Sequence, residues 1–146
     1  MPRLLLLLLA AGLAASGCDA FNAKRGTYTA TVRGNERFDL RGSAYLGGRV
    51  SDEPPVASIL LTGLNQPDIE VLVPAAGFRA ARYPVPAEAR ATFELDRYDG
   101  APYVGTSGFV ELASVSATRA VGTFSFTAER DGQAVTVEGS FVAEAD

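Results

Sequence analysis

From Gly26 onward, apolar and polar residues alternate nearly one for one, and no segment keeps the i, i+3, i+4 spacing of a helix. A period of two puts every second side chain on one face of an extended chain, so each such run predicts a strand with one buried face. Tyr28, Ala30 and Val32 alternate with Thr27, Thr29 and Thr31; Phe38, Leu40, Gly42 and Ala44 alternate with Arg37, Asp39, Arg41 and Ser43. Ile69, Val71 and Val73, then Phe93 and Leu95, repeat the pattern, as do Phe124, Phe126 and Ala128, and finally Val135, Val137 and Phe141. One wet and one dry face per strand is the mark of antiparallel sheets.

Two further segments are less regular. Ser58 to Gly63 is a short apolar run, expected to be covered on both faces, and Phe109 to Val115 shifts phase at Ser114, which predicts a bulge or a strand end. Asp131-Gly132 between two alternating runs predicts a type I′ hairpin. Gly34-Asn35 separates the first two strands, while Pro84, Pro86 and Ala87 to Ala91 form the longest irregular connection. Gly26-Thr-Tyr-Thr with Gly42-Ser-Ala-Tyr45, and Gly122-Thr-Phe-Ser with Gly139-Ser-Phe141, give the first and last hairpins a similar look. We read this as convergence on the same alternation. The expected fold is all-β: one domain over residues 26–146, an antiparallel β-sandwich or flattened barrel of about eight strands.

The composition removes whole classes of chemistry. With no histidine, no tryptophan and one cysteine, the chain has no Ser-His-Asp triad, no Cys-His pair, no histidine zinc site and no internal disulfide. A net charge of −4 argues against nucleic acid as a partner. The only lysine is Lys24, and no phosphate-binding glycine motif is present, which argues against nucleotides.

The start of the chain carries an address. Arg3 precedes six leucines, Leu4 to Leu9, and then Ala10 to Ala15. This apolar stretch is too short for a bilayer core of about 30 Å and reads as a secretory leader. The small residues Ala15-Ser16-Gly17 stand directly before Cys18, the only cysteine. In this the chain resembles bacterial lipoproteins, whose lipobox has the form of Ala15-Ser16-Gly17-Cys18. The resemblance implies cleavage before Cys18 and acylation of its thiol and its new amino group. Residues 1–17 would then be the leader and residues 18–25 a lipidated tether. Several acyl chains hold a membrane durably where one binds marginally. Gly26 to Val32, Arg119 to Ala128 and Val135 to Phe141 also resemble strands of a loose group of small β-rich bacterial envelope lipoproteins, which implies a β-sandwich or barrel and no particular activity. Localisation in the cell envelope follows, with the outer membrane or the surface placed ahead of the inner membrane. Asp19, next to the cysteine, is the residue that would argue for the inner membrane in enteric bacteria.

Catalysis would have to rest on carboxylates alone, as in glycosidases. Asp68 with Glu70, and Glu94 with Asp96, each share a strand face, but that face alternates with core residues and reads as solvated. Asp52, Glu53, Asp99 and Asp131 are loop oxygens without the density of a calcium loop, so no metal and no cofactor are expected. Tyr83, Tyr98 and Tyr103 cluster about the irregular middle and are the candidates for contact with a ligand or partner, against the plainer role of capping the core. Twelve arginines offer planar partners for acids across strands, Arg41 and Arg97 among them. The expected function is that of a lipid-anchored envelope protein whose β domain binds a protein or glycan, or serves a structural role, without catalysis. The alternative is a carboxylate-dependent glycan hydrolase of the envelope.

Overall fold

The computed structural model describes residues 26–49, 52–96 and 100–146; the stretches expected to be leader and tether, Cys18 among them, lie outside these, as do Val50, Ser51, Arg97, Tyr98 and Asp99. Nine strands occur among the described residues: β1 (Gly26–Gly34), β2 (Phe38–Arg49), β3 (Val56–Thr62), β4 (Asp68–Pro74), β5 (Ala81–Pro84), β6 (Arg90–Glu94), β7 (Tyr103–Val115), β8 (Arg119–Arg130) and β9 (Gln133–Glu144). Eight of them close an antiparallel ring in the order β1, β2, β3, β4, β6, β7, β8, β9, with β9 back against β1. The fold is therefore all-β, a flattened barrel, and closure leaves no long open edge. The ninth strand, β5, falls in the stretch whose sequence is least regular. It runs along β7 from Pro84↔Phe109 to Ala81↔Leu112, beyond the short contact of β6 with β7 at Thr92↔Val104 and Phe93↔Tyr103.

The alternation sorts side chains as the pattern demands. Tyr28, Ala30, Val32, Leu40, Ile69, Val71, Val73 and Phe93 point inward and are buried, as are Phe124, Phe126, Val135, Val137 and Phe141. Their polar neighbours point out, the reverse of a barrel embedded in lipid. β3 differs from expectation: Ile59 and Leu61 are fully buried, but Leu60 between them is only half-buried on the outer face. The run is thus an ordinary one-sided strand carrying one apolar residue outward. The phase shift near Ser114 is a bulge, and a second register shift lies between Gly105 and Ser107. Asp131 and Gly132 both have positive φ, 50° and 76°, the backbone that a type I′ turn requires.

The registers give the glycines of the two end hairpins a packing role. Tyr28 lies opposite Gly42, Phe124 opposite Gly139, and Phe141 opposite Gly122. A Cβ on Gly139 would come within 2.7 Å of the Phe124 ring, and one on Gly122 within 2.9 Å of the Phe141 ring. Each ring occupies the space that a partner's side chain would have filled, as when an aromatic covers a glycine across a strand pair.

The two rims differ. At the near rim β1 begins, β9 ends, and the β2–β3 and β7–β8 connections turn. At the far rim lie the β1–β2, β3–β4, β6–β7 and β8–β9 connections.

Candidate functional site: a cavity at the far rim

The β3–β4 turn bends sharply at Asn65, whose φ is 55°, and leaves Leu64 88% exposed at its tip. Beneath it is a cavity of about 610 Å³ between the start of β2, the end of β3, the start of β4 and the end of β6. Phe38, Pro67 and Leu95 form its apolar wall; Asp68, Glu94 and Asp96 supply three carboxylates; Asn65 and Gln66 supply amides. Among the described residues, none that lines it is basic. The Gln66 amide is fixed, since its Oε1 accepts the Arg41 backbone N–H at 3.2 Å.

Sequence spacing pairs Asp68 with Glu70 and Glu94 with Asp96. The sheet pairs the acids differently. β4 and β6 run antiparallel with Asp68 directly opposite Glu94, so one carboxylate from each sequence pair becomes a cross-strand neighbour of the other. Like charges in that relation are destabilising. Glu70 is drawn away: it accepts from Arg49 at 2.5 Å and from the Ser58 hydroxyl at 3.0 Å. Asp68 and Asp96 each keep a further interaction within the protein.

One polar group in the core has no hydrogen-bond partner. The Tyr28 hydroxyl is buried and makes no hydrogen bond. Burial, and then the negative charge of Asp68, push its pKa up to about 12, so the phenol stays neutral at ordinary pH. Sequence reading treated Tyr28 as a plain core residue. The available signal was a phenol at an inward position where the neighbouring strands of the same hairpins use phenylalanine.

The tyrosines nominated from sequence take other places. Tyr83 is buried and ties down the β4–β5 loop: its hydroxyl accepts the Arg79 backbone N–H at 3.1 Å and donates to the Arg79 carbonyl at 2.9 Å. Tyr103 is fully buried and packs on Phe93, with ring centroids 5.8 Å apart, and the Arg130 guanidinium covers it at 4.5 Å. Its hydroxyl accepts from the Asn35 amide at 3.3 Å. Both rings belong to the core, the plainer of the two roles weighed for them, because each falls on an inward position of its strand, and neither lines the far-rim cavity. Tyr98 lies outside the described residues. Among the arginines, the cross-strand pairs are Arg33 with Asp39, Arg49 with Glu70, Arg82 with Glu111 and Arg119 with Glu144, while Arg97 is outside the described residues.

Two of the other concavities are shallower in chemistry. One, of about 500 Å³, runs over the outer face of β1, β9 and β8 among threonines and Ser140. The other, of about 460 Å³, lies between Leu72, Pro86 and Val104, where β6 is too short to cover β7. Among the described residues no group of three or more acids or cysteines could hold a metal ion, and no helix is long and apolar enough to cross a membrane. The chain matches no protein-family model, and neither a curated protein nor a solved structure is significantly similar to it.

Proposed function

We propose that this protein is a lipid-anchored component of the bacterial cell envelope whose barrel binds a ligand or partner at its far rim and performs no catalysis. The layout supports the binding half of this reading. The barrel interior is filled, the outer face is polar, and the cavity with the exposed Leu64 lies at the rim opposite the start of β1. Only eight positions separate Cys18 from Gly26, a reach of at most about 26–29 Å when extended. An anchor at Cys18 therefore holds the near rim toward the membrane and turns the cavity away from it.

Replacement of Cys18 by serine tests the anchor. The parent should incorporate labelled fatty acid and enter the detergent phase, whereas Cys18→Ser should do neither and should retain residues 1–17. A mutant that still partitions into detergent and migrates as the shortened form overturns the lipoprotein reading.

A second reading is kept by one observation: Asp68 and Glu94 stand opposite one another on a shared cavity wall. Opposed residues of an antiparallel pair have Cβ atoms about 4.5–5.5 Å apart, and retaining glycosidases place their two carboxyl groups about 5–5.5 Å apart. Release of reducing ends from envelope glycan, abolished by Glu94→Gln, would favour hydrolysis. No release from any glycan offered leaves binding.

A further inference from the structure

The outer wall of the patched side carries a slot whose chemistry is the opposite of the far rim's. The registers set Leu60, Glu70, Thr92 and Val104 side by side across β3, β4, β6 and β7, and Ser58, Leu72 and Arg90 in the next row. β6 begins at Arg90 and meets β7 only at Tyr103 and Val104, so beyond Val104 the wall is left to the turn at Pro86. The slot of about 460 Å³ lies in this break, floored by Ala91 and Gly105. Val85 closes it from beneath, since a Cβ on Gly105 would meet the Val85 side chain at 2.8 Å. Alternation turns Leu72 outward, yet it is only 8% exposed, sunk at the bottom of a recess. Val104 at the edge is 53% exposed, one of two large apolar residues so open among the described ones.

Two guanidiniums border this aliphatic surface. Arg49 comes from β2 and crosses β3, where Gly47 and Ser58 are small, to reach Glu70. Glu70 is already shared between Arg49 and the Ser58 hydroxyl. Arg90 stands directly opposite Leu72 and is paired with Asp52 at 3.9 Å, an ion pair longer than a hydrogen bond. A guanidinium has five N–H donors, and these two pairs leave most of them turned to solvent. Two arginines and one acid line the slot, a positive excess in a chain whose net charge is −4. An aliphatic recess with a positive border is complementary to one kind of small molecule, an apolar body that ends in an anion.

We propose that this slot is a second binding site, for a small aliphatic carboxylic acid held as its anion. The alkyl chain lies on Leu72, Pro86 and Val104, and the carboxylate accepts from Arg90, with Arg49 adding its charge. Planar guanidinium donors match the two oxygens of a carboxylate. A cation is repelled by the same pair, and an uncharged chain gains only the apolar contact. The site is apart from the far-rim cavity and independent of the lipid on Cys18.

The test is a protein-observed NMR titration of the full chain, purified as the cell makes it, with hexanoate, and with methyl hexanoate and hexylammonium as the uncharged and cationic controls. Hexanoate should give saturable shifts at the backbone amides of Thr92, Val104 and Gly105, and neither control should do so at the same concentrations. Arg90→Gln should weaken hexanoate about threefold to tenfold, the size expected for a hydrogen bond between charged groups at a partly open site. Val104→Thr exchanges one methyl for a hydroxyl in the same shape and should weaken it about threefold. Both side chains are more than half exposed, so both variants should melt with the parent, which separates lost binding from lost structure. Equal shifts from methyl hexanoate, no saturable shift from hexanoate, or unchanged affinity in Arg90→Gln overturns the proposal. So do hexanoate shifts confined to Phe38, Leu64 and Asn65, which would place the acid at the far rim. Failure here leaves the anchor and the far-rim reading to their own tests, since neither lends this site a residue.

Discussion

The ring has two halves built on different rules. In the arc β8, β9, β1, β2 the strands are 9 to 12 residues long, joined by tight hairpins, and packed by aromatics lying over glycines. In the arc β4, β5, β6 they are 7, 4 and 5 residues long, and the ring is continued by only two residue pairs between β6 and β7. The remaining length of β7 is completed by β5 and by the turn at Val85, whose N–H donates to the Gly108 carbonyl at 2.9 Å. Val85 and Ala89 fill the gap from the turn itself. The first arc is a regular sheet whose backbone dictates its packing; the second is a patch whose side chains hold an incomplete sheet shut. The candidate cavity takes its walls from both, with Phe38 from the first and Asp68 and Glu94 from the second.

The largest test of this contrast is the core. Phe126→Ala in the regular arc should cost about 3–5 kcal/mol, and Phe93→Ala in the patched arc should cost as much, because both rings are fully buried. Thr127→Ala on the outer face should change stability by less than about 0.5 kcal/mol in chemical denaturation. A much smaller loss at Phe93 would show that the patched arc opens and relaxes around the cavity left behind.

Glycines should separate the arcs next. On Gly139 a Cβ meets the Thr29 carbonyl at 2.4 Å and the Phe124 ring at 2.7 Å, so Gly139→Ala must move backbone. On Gly105 it meets the Val85 side chain at 2.8 Å and the Ala91 carbonyl at 3.0 Å, where a turn can yield. Gly139→Ala should lose about 1–3 kcal/mol by thermal melting, and Gly105→Ala less than that. Gly47→Ala, with open space around it, serves as the neutral control.

Tyr28→Phe should raise stability by about 1 kcal/mol in the ligand-free protein, since it removes an unpaired buried hydroxyl. The pH dependence sharpens this. The folded pKa of about 12 lies above the ordinary 10.0, so the unfolded chain loses this proton first as pH rises. The stability linked to the neutral phenol is complete below pH 10 and is lost between pH 10 and about 12. A denaturation series over that window should fall less steeply for Tyr28→Phe than for the parent. Parallel curves would mean that Tyr28 titrates normally.

The smallest effects belong to the ion pairs on the outer face. Arg33 with Asp39 in the regular arc and Arg82 with Glu111 in the patched arc are both solvent-exposed. Arg33→Ala and Arg82→Ala should each change stability by about 0–1 kcal/mol, and less at high salt. Arg82 also lies 4.0 Å over the Phe109 ring, so any excess loss at Arg82 reports that contact and should survive added salt.

Much of the barrel was legible because it depends on short-range rules. Alternation fixes which residues face inward, and Asp131-Gly132 fixes a turn, whatever the rest of the chain does. That reasoning identified the inward sets of β1, β2, β4, β8 and β9 and the bulge near Ser114. It missed β5, because four residues ending in proline carry too little pattern, and it gave Leu60 a cover that the fold does not provide. The candidate site was legible only in its parts. Asp68 and Glu94 were visible as acids on exposed faces, and Tyr83 and Tyr103 were visible as tyrosines in an irregular region.

The sequence by itself determined an all-β fold, the inside and outside of its longest strands, and the exclusion of chemistry that needs histidine or a second cysteine. Tertiary structure decided which strands became neighbours, and with that everything about the cavity. Asp68 and Glu94 are 26 residues apart, Tyr28 and Asp68 are 40 apart, and no local rule joins them. The free energy that does so comes from burying many apolar side chains in one closed core, and that sum is a property of the whole ring, not of any segment.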